Sequence, residues 1–199
     1  MNCVLCIEKT AVTGGIGAGK SVVCRMLTAM GYPVYDTDLQ AKRIINEIAE
    51  VRALITEHIS ERAFSADGVY DRAHVAAVVF ADSDKLAKLN RIVHTAVADD
   101  LTRWMAAQSQ LHSRIFIETA LLYSSGLYRL VESEWRVTAP EPVRVARVME
   151  RNAITADQVR ARIAAQQSEY PAQSPLAVHT LVNDGMQPLV PQVLDLLGK

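Results

Sequence analysis

The stretch Gly14-Gly15-Ile16-Gly17-Ala18-Gly19-Lys20-Ser21 constrains this chain more than any other part of it. It fits the phosphate-loop pattern G-x-x-x-x-G-K-[ST]. The chemistry asks for these residue types. Glycines let backbone N–H groups turn inward around phosphate oxygens, and a helix starting near Lys20 adds its positive N-terminal end. Lys20 brings a cation to the β- and γ-phosphates, and the Ser21 hydroxyl can ligate Mg²⁺. The flanks supply the required context. Thr10 to Thr13 reads as the end of a buried strand, and Val22, Val23, Met26, Leu27 and Met30 then recur at helical spacing before a C-cap glycine, Gly31. Strand, glycine loop and helix open an α/β unit that binds a nucleoside triphosphate.

The rest of the chain continues that alternation. Pro33 to Asp38 reads as a second short strand ending in carboxylates, and Leu39 to about Gln110 is mainly helical, with a turn at Asp67-Gly68. Arg114 to Ile117 is a compact apolar run with Glu118 at its end; Trp135 to Ala139 is a further strand, closed by Pro140-Glu141-Pro142. Helices are predicted over 142–151 and 156–167, the second with a capping box, Thr155 at N-cap and Gln158 at N3. A short strand at Thr180 to Val182 and a helix around Leu189 to Leu197 finish the chain. Strands alternating with helices imply a mostly parallel sheet covered on both faces.

Composition narrows the partners. With 21 basic and 22 acidic residues, the net charge of −1 gives no support for a general nucleic-acid or membrane-surface binder. No apolar run approaches the ~18–20 residues that span a bilayer, and the N-terminus does not read as a secretory signal, so a cytoplasmic location is expected. Three cysteines argue against a disulfide framework. Cys3 and Cys6 form a C-x-x-C pair, but no second pair follows at zinc-ligand spacing.

Two clusters beyond the loop carry chemistry. Asp36 and Asp38 are two apart, so on an extended segment their side chains point the same way. A carboxylate at such a strand end can take the proton of an attacking hydroxyl; the alternative is that both acids cap the helix beginning near Leu39. The segment 142–162 holds Arg144, Arg147, Arg151, Arg160 and Arg162 against Glu150 and Asp157, a local excess of three positive charges without a lysine. Arg144, Arg147 and Arg151 share one helix face. Guanidinium groups stabilise charge spreading over a transferring phosphoryl group, and small kinases close an arginine lid to exclude water.

With these residues in view, the chain resembles the dephospho-coenzyme A kinase family from about Thr10 to Leu197. Thr13 to Ser21 resembles the family's phosphate loop, whose Thr-Gly-Gly-Ile-Gly opening is more specific than the general pattern. Val34-Tyr35-Asp36-Thr37-Asp38 is similar to its Asp-x-Asp strand end, and the resemblance assigns the catalytic base to Asp38. Asp71-Arg72 with Val75 and Phe80 resembles a segment of its helical insertion, and Leu89-Asn90-x-x-x-His94 its substrate-binding stretch. Arg147-x-x-x-Arg151 resembles the lid, Arg162-Ile163 with Gln166 the helix after it, and Asn183 the asparagine close to adenine. The chain departs from the family at four places: Lys42 stands for Arg, Thr95 for Pro, Ser124 for Glu and Asn152 for Asp.

The resemblance implies a phosphate-loop kinase fold: a parallel sheet flanked by helices, a core at about 1–39 and 111–199, a helical insertion at about 40–110 and an arginine lid at about 142–170. It implies ATP and dephospho-coenzyme A as substrates with Mg²⁺, and phosphorylation of the ribose 3′-hydroxyl, the last step of coenzyme A synthesis. Lys20, Asp38 and Arg151 would be catalytic. ATP would bind on Gly14 to Val22 with Arg147 and Asn183, and the acceptor on Asp38, Lys42, Arg72, His94 and Glu118. The alternatives are another small-molecule kinase, of nucleoside monophosphate or shikimate type, and a slowly hydrolysing nucleotide switch.

Overall fold

The computed structural model describes residues 7–198, so the Cys3–Cys6 pair lies outside the described residues. Strand β1 (Glu8–Thr13) is buried from Thr10 onward on both faces, which suits the centre of a covered parallel sheet. β2 (Val34–Asp36), β3 (Arg114–Glu118), β4 (Ser133–Thr138) and β5 (Ala177–Val182) complete a sheet of order β2-β3-β1-β4-β5. β1 pairs in parallel with both β3 and β4, and β4 with β5. The strand order therefore reverses at β1, and the crevice outside the carboxyl ends at such a point is where ligands bind.

The chain divides into two compact units. Among the described residues one comprises the part up to residue 35 and that from 107 onward, the other 36–106. In the first, α1 (Lys20–Ala29) and α8 (Leu189–Leu197) cover one core with Val12, Leu27, Phe116, Trp135 and Leu181. Phe116 is fully buried, edge-on to Tyr32 with ring centres 5.5 Å apart and tilted 5.0 Å from Trp135. α6 (Glu141–Asn152) and α7 (Ala156–Ala165) form a second small core of Val145, Val148, Val159 and Ile163. The capping box at Thr155 and Gln158 is present. Gly31, at φ 89°, follows α1 where its helix stops, and its N–H donates to the Thr28 carbonyl.

The second unit is built from α2 (Thr37–Glu47), α3 (Ala49–His58), α4 (Arg72–Phe80) and α5 (Ser83–Gln108), the last running on two residues past its boundary. Ile44, Ile55, Ile59, Val75 and Leu101 are buried there. Arg43 ties α2 to α5 through Asp100 at 2.8 Å.

One expectation needs correcting. Asp36 and Asp38 do not lie together on a strand. β2 stops at Asp36, whose carboxylate accepts the Leu39 N–H at 3.0 Å and caps α2. The cap starts the helix at Thr37, two residues before the expected start, so Asp38 lies in the first helical turn of the second unit.

Phe116→Ala should cost about 3–5 kcal/mol, since it empties a fully buried aromatic site. Urea unfolding followed by tryptophan fluorescence measures it.

Candidate active site

A loop that turns N–H groups inward must find partners for its carbonyls, and here each carbonyl from Gly14 to Gly19 has one. Gly14 accepts from the Lys20 ammonium at 2.8 Å, and Gly15 from the Ala18 N–H at 3.0 Å. Ile16 accepts from Arg144 Nε at 2.9 Å, and Gly17 more distantly from Arg147 Nη1 at 3.5 Å. Ala18 accepts from Asn183 Nδ2 at 2.8 Å, and Gly19 from the Val22 N–H at 3.0 Å. Among the described residues no acceptor faces the N–H groups of Gly17, Gly19 or Ser21. Gly19 is the N-cap of α1 in the left-handed region, at φ 101°, with no side-chain cap bond. The first turn of α1 is thus left for an anion.

Ile16 couples this loop to the arginine-bearing helices in three ways. Its side chain packs into the α6–α7 core. Its carbonyl is held by Arg144 on α6, and its N–H donates to Gln166 Oε1, just past α7, at 2.7 Å. Arg147 also donates to the Asn183 carbonyl at 2.9 Å and to its side-chain oxygen at 3.3 Å. Arg151 is exposed, and its Nε donates to Asn152 Oδ1 at 3.0 Å.

Beneath the loop lies a buried carboxylate. Glu134 of β4 has no exposed surface. Arg136 grips it with two hydrogen bonds, at 2.8 and 2.9 Å, while the hydroxyls of Thr13 (2.5 Å) and Tyr123 donate to it. Burial alone would raise the Glu134 pKa. The hydrogen bonds from Arg136, Thr13 and Tyr123 outweigh it and hold the carboxyl below its ordinary value of 4.5. The Arg136 guanidinium also lies 4.7 Å from the Tyr170 ring centre, and burial next to this carboxylate pushes the Tyr170 phenol up to about 12. Thr13 is the last residue of β1, so this network fixes the strand end from which the loop springs.

A model of the dephospho-CoA kinase family matches residues 9–188. The chain belongs to that family. The dephospho-CoA kinase of Porphyromonas gingivalis is 37% identical over 187 residues, covering 94% of this chain and 91% of that protein. That of Salinibacter ruber is 39% identical over 176 residues, with 87% of each chain covered. The crystal structure of TT1252 from Thermus thermophilus is 30% identical and superposes with a TM-score of 0.78 over 96% of both chains. Dephospho-CoA kinase from Campylobacter jejuni shares the fold at a TM-score of 0.66 and 16% identity, over 96% of this chain and 95% of that one.

The residues expected on the acceptor side fall partly together. In the helical unit Asp38, Lys42 and Arg72 line one cavity of about 600 Å³, whose other walls include Val75, Val79 and Phe80. His94, half-buried on α5, and Glu118, at the end of β3, are not among its lining residues. At the Ser124 departure, the buried Glu169 carboxylate accepts the N–H groups of Tyr123 at 2.6 Å and Ser124 at 3.3 Å. Sequence reasoning missed Glu134, Arg136, Tyr123 and Tyr170 altogether. The one available signal was a charged pair, Glu134 and Arg136, two apart in a strand whose other residues carry no charge.

Glu134 makes stability depend on pH. Its folded pKa is depressed, so its contribution is complete above the ordinary carboxylate value and is lost as pH falls through the folded value. Acid titration below about pH 4.5 should therefore erode the wild type more steeply than Glu134→Gln. At neutral pH that variant should lose on the order of 3 kcal/mol, the low end for a broken buried pair, because the Arg136 side chain keeps 24% of its surface. Denaturant unfolding at a series of pH values measures both.

Proposed function

We propose that this chain transfers the γ-phosphoryl group of ATP to the 3′-hydroxyl of the ribose in dephospho-coenzyme A, giving coenzyme A and ADP. The observation that carries this reading is the phosphate loop of a dephospho-CoA kinase family member, with every carbonyl from Gly14 to Gly19 bonded and the N–H groups of Gly17, Gly19 and Ser21 left for an anion. The triphosphate lies on Gly14 to Val22, with adenine toward Arg147 and Asn183. Lys20, its head tethered at the Gly14 carbonyl, neutralises charge on the β- and γ-phosphates.

The residues present fit Mg²⁺. Among the described residues no cluster of three His, Cys, Asp or Glu could cage a metal, and Mg²⁺ in kinases takes few protein ligands, the rest being phosphate oxygens and water. The exposed Ser21 hydroxyl in the first turn of α1 would be its protein ligand. When bound, the ion neutralises phosphate charge.

On the acceptor side Asp38 takes the hydroxyl proton as the new P–O bond forms. Lys42 and Arg72 on the same cavity offer cations to the acceptor's diphosphate, with Val75, Val79 and Phe80 available to its less polar arm. His94, from the family resemblance, and Glu118, a carboxylate at the end of β3, complete the acceptor residues. Arg151 closes toward the transferring group. Its exposed position and its bond to a neighbouring Asn leave it free to move.

Mass spectrometry after incubation with ATP, Mg²⁺ and dephospho-coenzyme A should show the acceptor gaining one phosphate. Phosphorylation of a nucleoside monophosphate or shikimate instead would reject this acceptor, and acceptor-independent ADP release would mark a switch. Lys20→Ala should greatly lower turnover, and near-normal rates in that variant would contradict the loop assignment. Asp38→Asn should keep ATP affinity and folding but lower kcat by about 10²-fold or more. Asp36→Asn is the matched control: Asn caps a helix about as well as Asp, so it should cost little.

A further inference from the structure

The three arginines on one face of α6 have different surroundings. Arg147 is spent on Asn183 and Gly17, and Arg151 turns to Asn152 in solvent. Arg144 is anchored by Nε alone, to the Ile16 carbonyl, and among the described residues its two terminal nitrogens carry no acceptor. Its guanidinium lies against Gly15, with Nη2 nearest. A Cβ placed on that glycine would come within 2.9 Å of Arg144 Cζ. Arg144 and Gly15 share the wall of a cavity of about 380 Å³ with Gly14, Arg136, Gln166 and Tyr170.

The loop has a direction. Lys20, whose ammonium must reach the β- and γ-phosphates, has its head at the Gly14 carbonyl, while Asn183 braces the opposite end at Ala18. The γ end of a bound triphosphate therefore lies at the Gly14–Gly15 edge. There two cations, Lys20 Nζ and the Arg144 fork, meet at residues whose Cα atoms are ~3.8 Å apart. A planar fork with free N–H groups at that edge is suited to charge spreading over equatorial phosphoryl oxygens.

We propose that Arg144 is a catalytic arginine of the transfer, contacting the γ-phosphoryl group as it leaves ADP; the identity of the acceptor rests on the function proposed above. In that step the acceptor oxygen bonds to the γ-phosphorus and its proton passes to Asp38. The bond from the γ-phosphorus to the β,γ-bridging oxygen breaks, and its electron pair stays on ADP. Arg144 stabilises the charge between these two events, while its Nε bond to Ile16 fixes the fork.

The test separates this role from simple bracing of the loop. ADP occupies the same loop but has no γ group, whereas ADP with aluminium fluoride and Mg²⁺ mimics the transferring group. Arg144→Ala also unpairs the Ile16 carbonyl, so it should weaken ADP, but only about as far as Gln166→Ala does. It should lose a further ~10²-fold in affinity for the ADP–aluminium fluoride state and about 10²-fold or more in kcat. Arg144→Lys should recover little, since one ammonium cannot hold Ile16 and present a fork. Gly15→Ala leaves Arg144 in the chain but displaces its guanidinium, and Gly15 is outside the left-handed region. It should show the same selective loss and add little to Arg144→Ala. Gln166→Ala, which frees the Ile16 N–H without removing charge, should weaken ADP and the fluoride state together.

Equal weakening of ADP and the fluoride state in Arg144→Ala, with kcat intact at saturation, would make Arg144 a brace. No change at all would return it to the solvated face. Should Arg144→Ala not fold, Arg144→Lys and Gly15→Ala distinguish the same roles. The fluoride measurement needs no acceptor, so a wild type that binds this state yet leaves dephospho-coenzyme A unphosphorylated would refute the proposed function and leave the Arg144 inference standing.

Discussion

The phosphate loop can keep the N–H groups of Gly17, Gly19 and Ser21 free only because its carbonyls are bonded, and Arg144, Arg147 and Asn183, far along the chain, serve that requirement at Ile16, Gly17 and Ala18. A buried carbonyl without a donor costs about 1–3 kcal/mol. Lys20, Ala18 and Val22 satisfy Gly14, Gly15 and Gly19 locally, while Ile16, Gly17 and Ala18 depend on those distant donors. Ile16 is the centre of that supply. One side chain packed between α6 and α7 brings Arg144 and Gln166 to the two ends of its peptide unit. α6 and the end of α7 are therefore structural partners of the loop as well as neighbours that carry cations.

Glu134 gives the same support from below. A fully buried carboxylate is tolerated here because Arg136, Thr13 and Tyr123 together satisfy it. The arrangement pins Thr13, and with it the direction in which the chain leaves β1. It also accounts for the opening Thr-Gly-Gly-Ile-Gly of the loop in physical terms. Thr donates to the network, Gly15 makes room for a guanidinium, and Ile fills the α6–α7 core.

Local signals are legible in this sequence. The Walker-type spacing, Gly31 after α1 and the Thr155–Gln158 capping box each involve residues within one or two turns, where propensity and capping act. The Asp36–Asp38 segment misleads because a strand and an N-cap compete for the same residues, and the Leu39 N–H decides for the cap. Glu134 gives almost no warning, since two of its partners, Thr13 and Tyr123, lie 121 and 11 residues away. The acceptor-side residues rest on resemblance; Lys42 and Arg72 come to one cavity because α2 and α4 belong to the same helical unit.

By itself the sequence determined that this chain builds an α/β phosphate-binding unit, because eight consecutive residues and their flanks encode the loop, the strand and the helix that it needs. It equally determined that three arginines share one face of α6, since helical periodicity is a local property. Only the tertiary structure decided which of them reach the loop and which nitrogens they keep free there. Arg144 meets Ile16 across 128 positions, and Gln166 meets it across 150. Such contacts are set by how the strands order and how α6 and α7 pack, and no spacing rule along the chain encodes them.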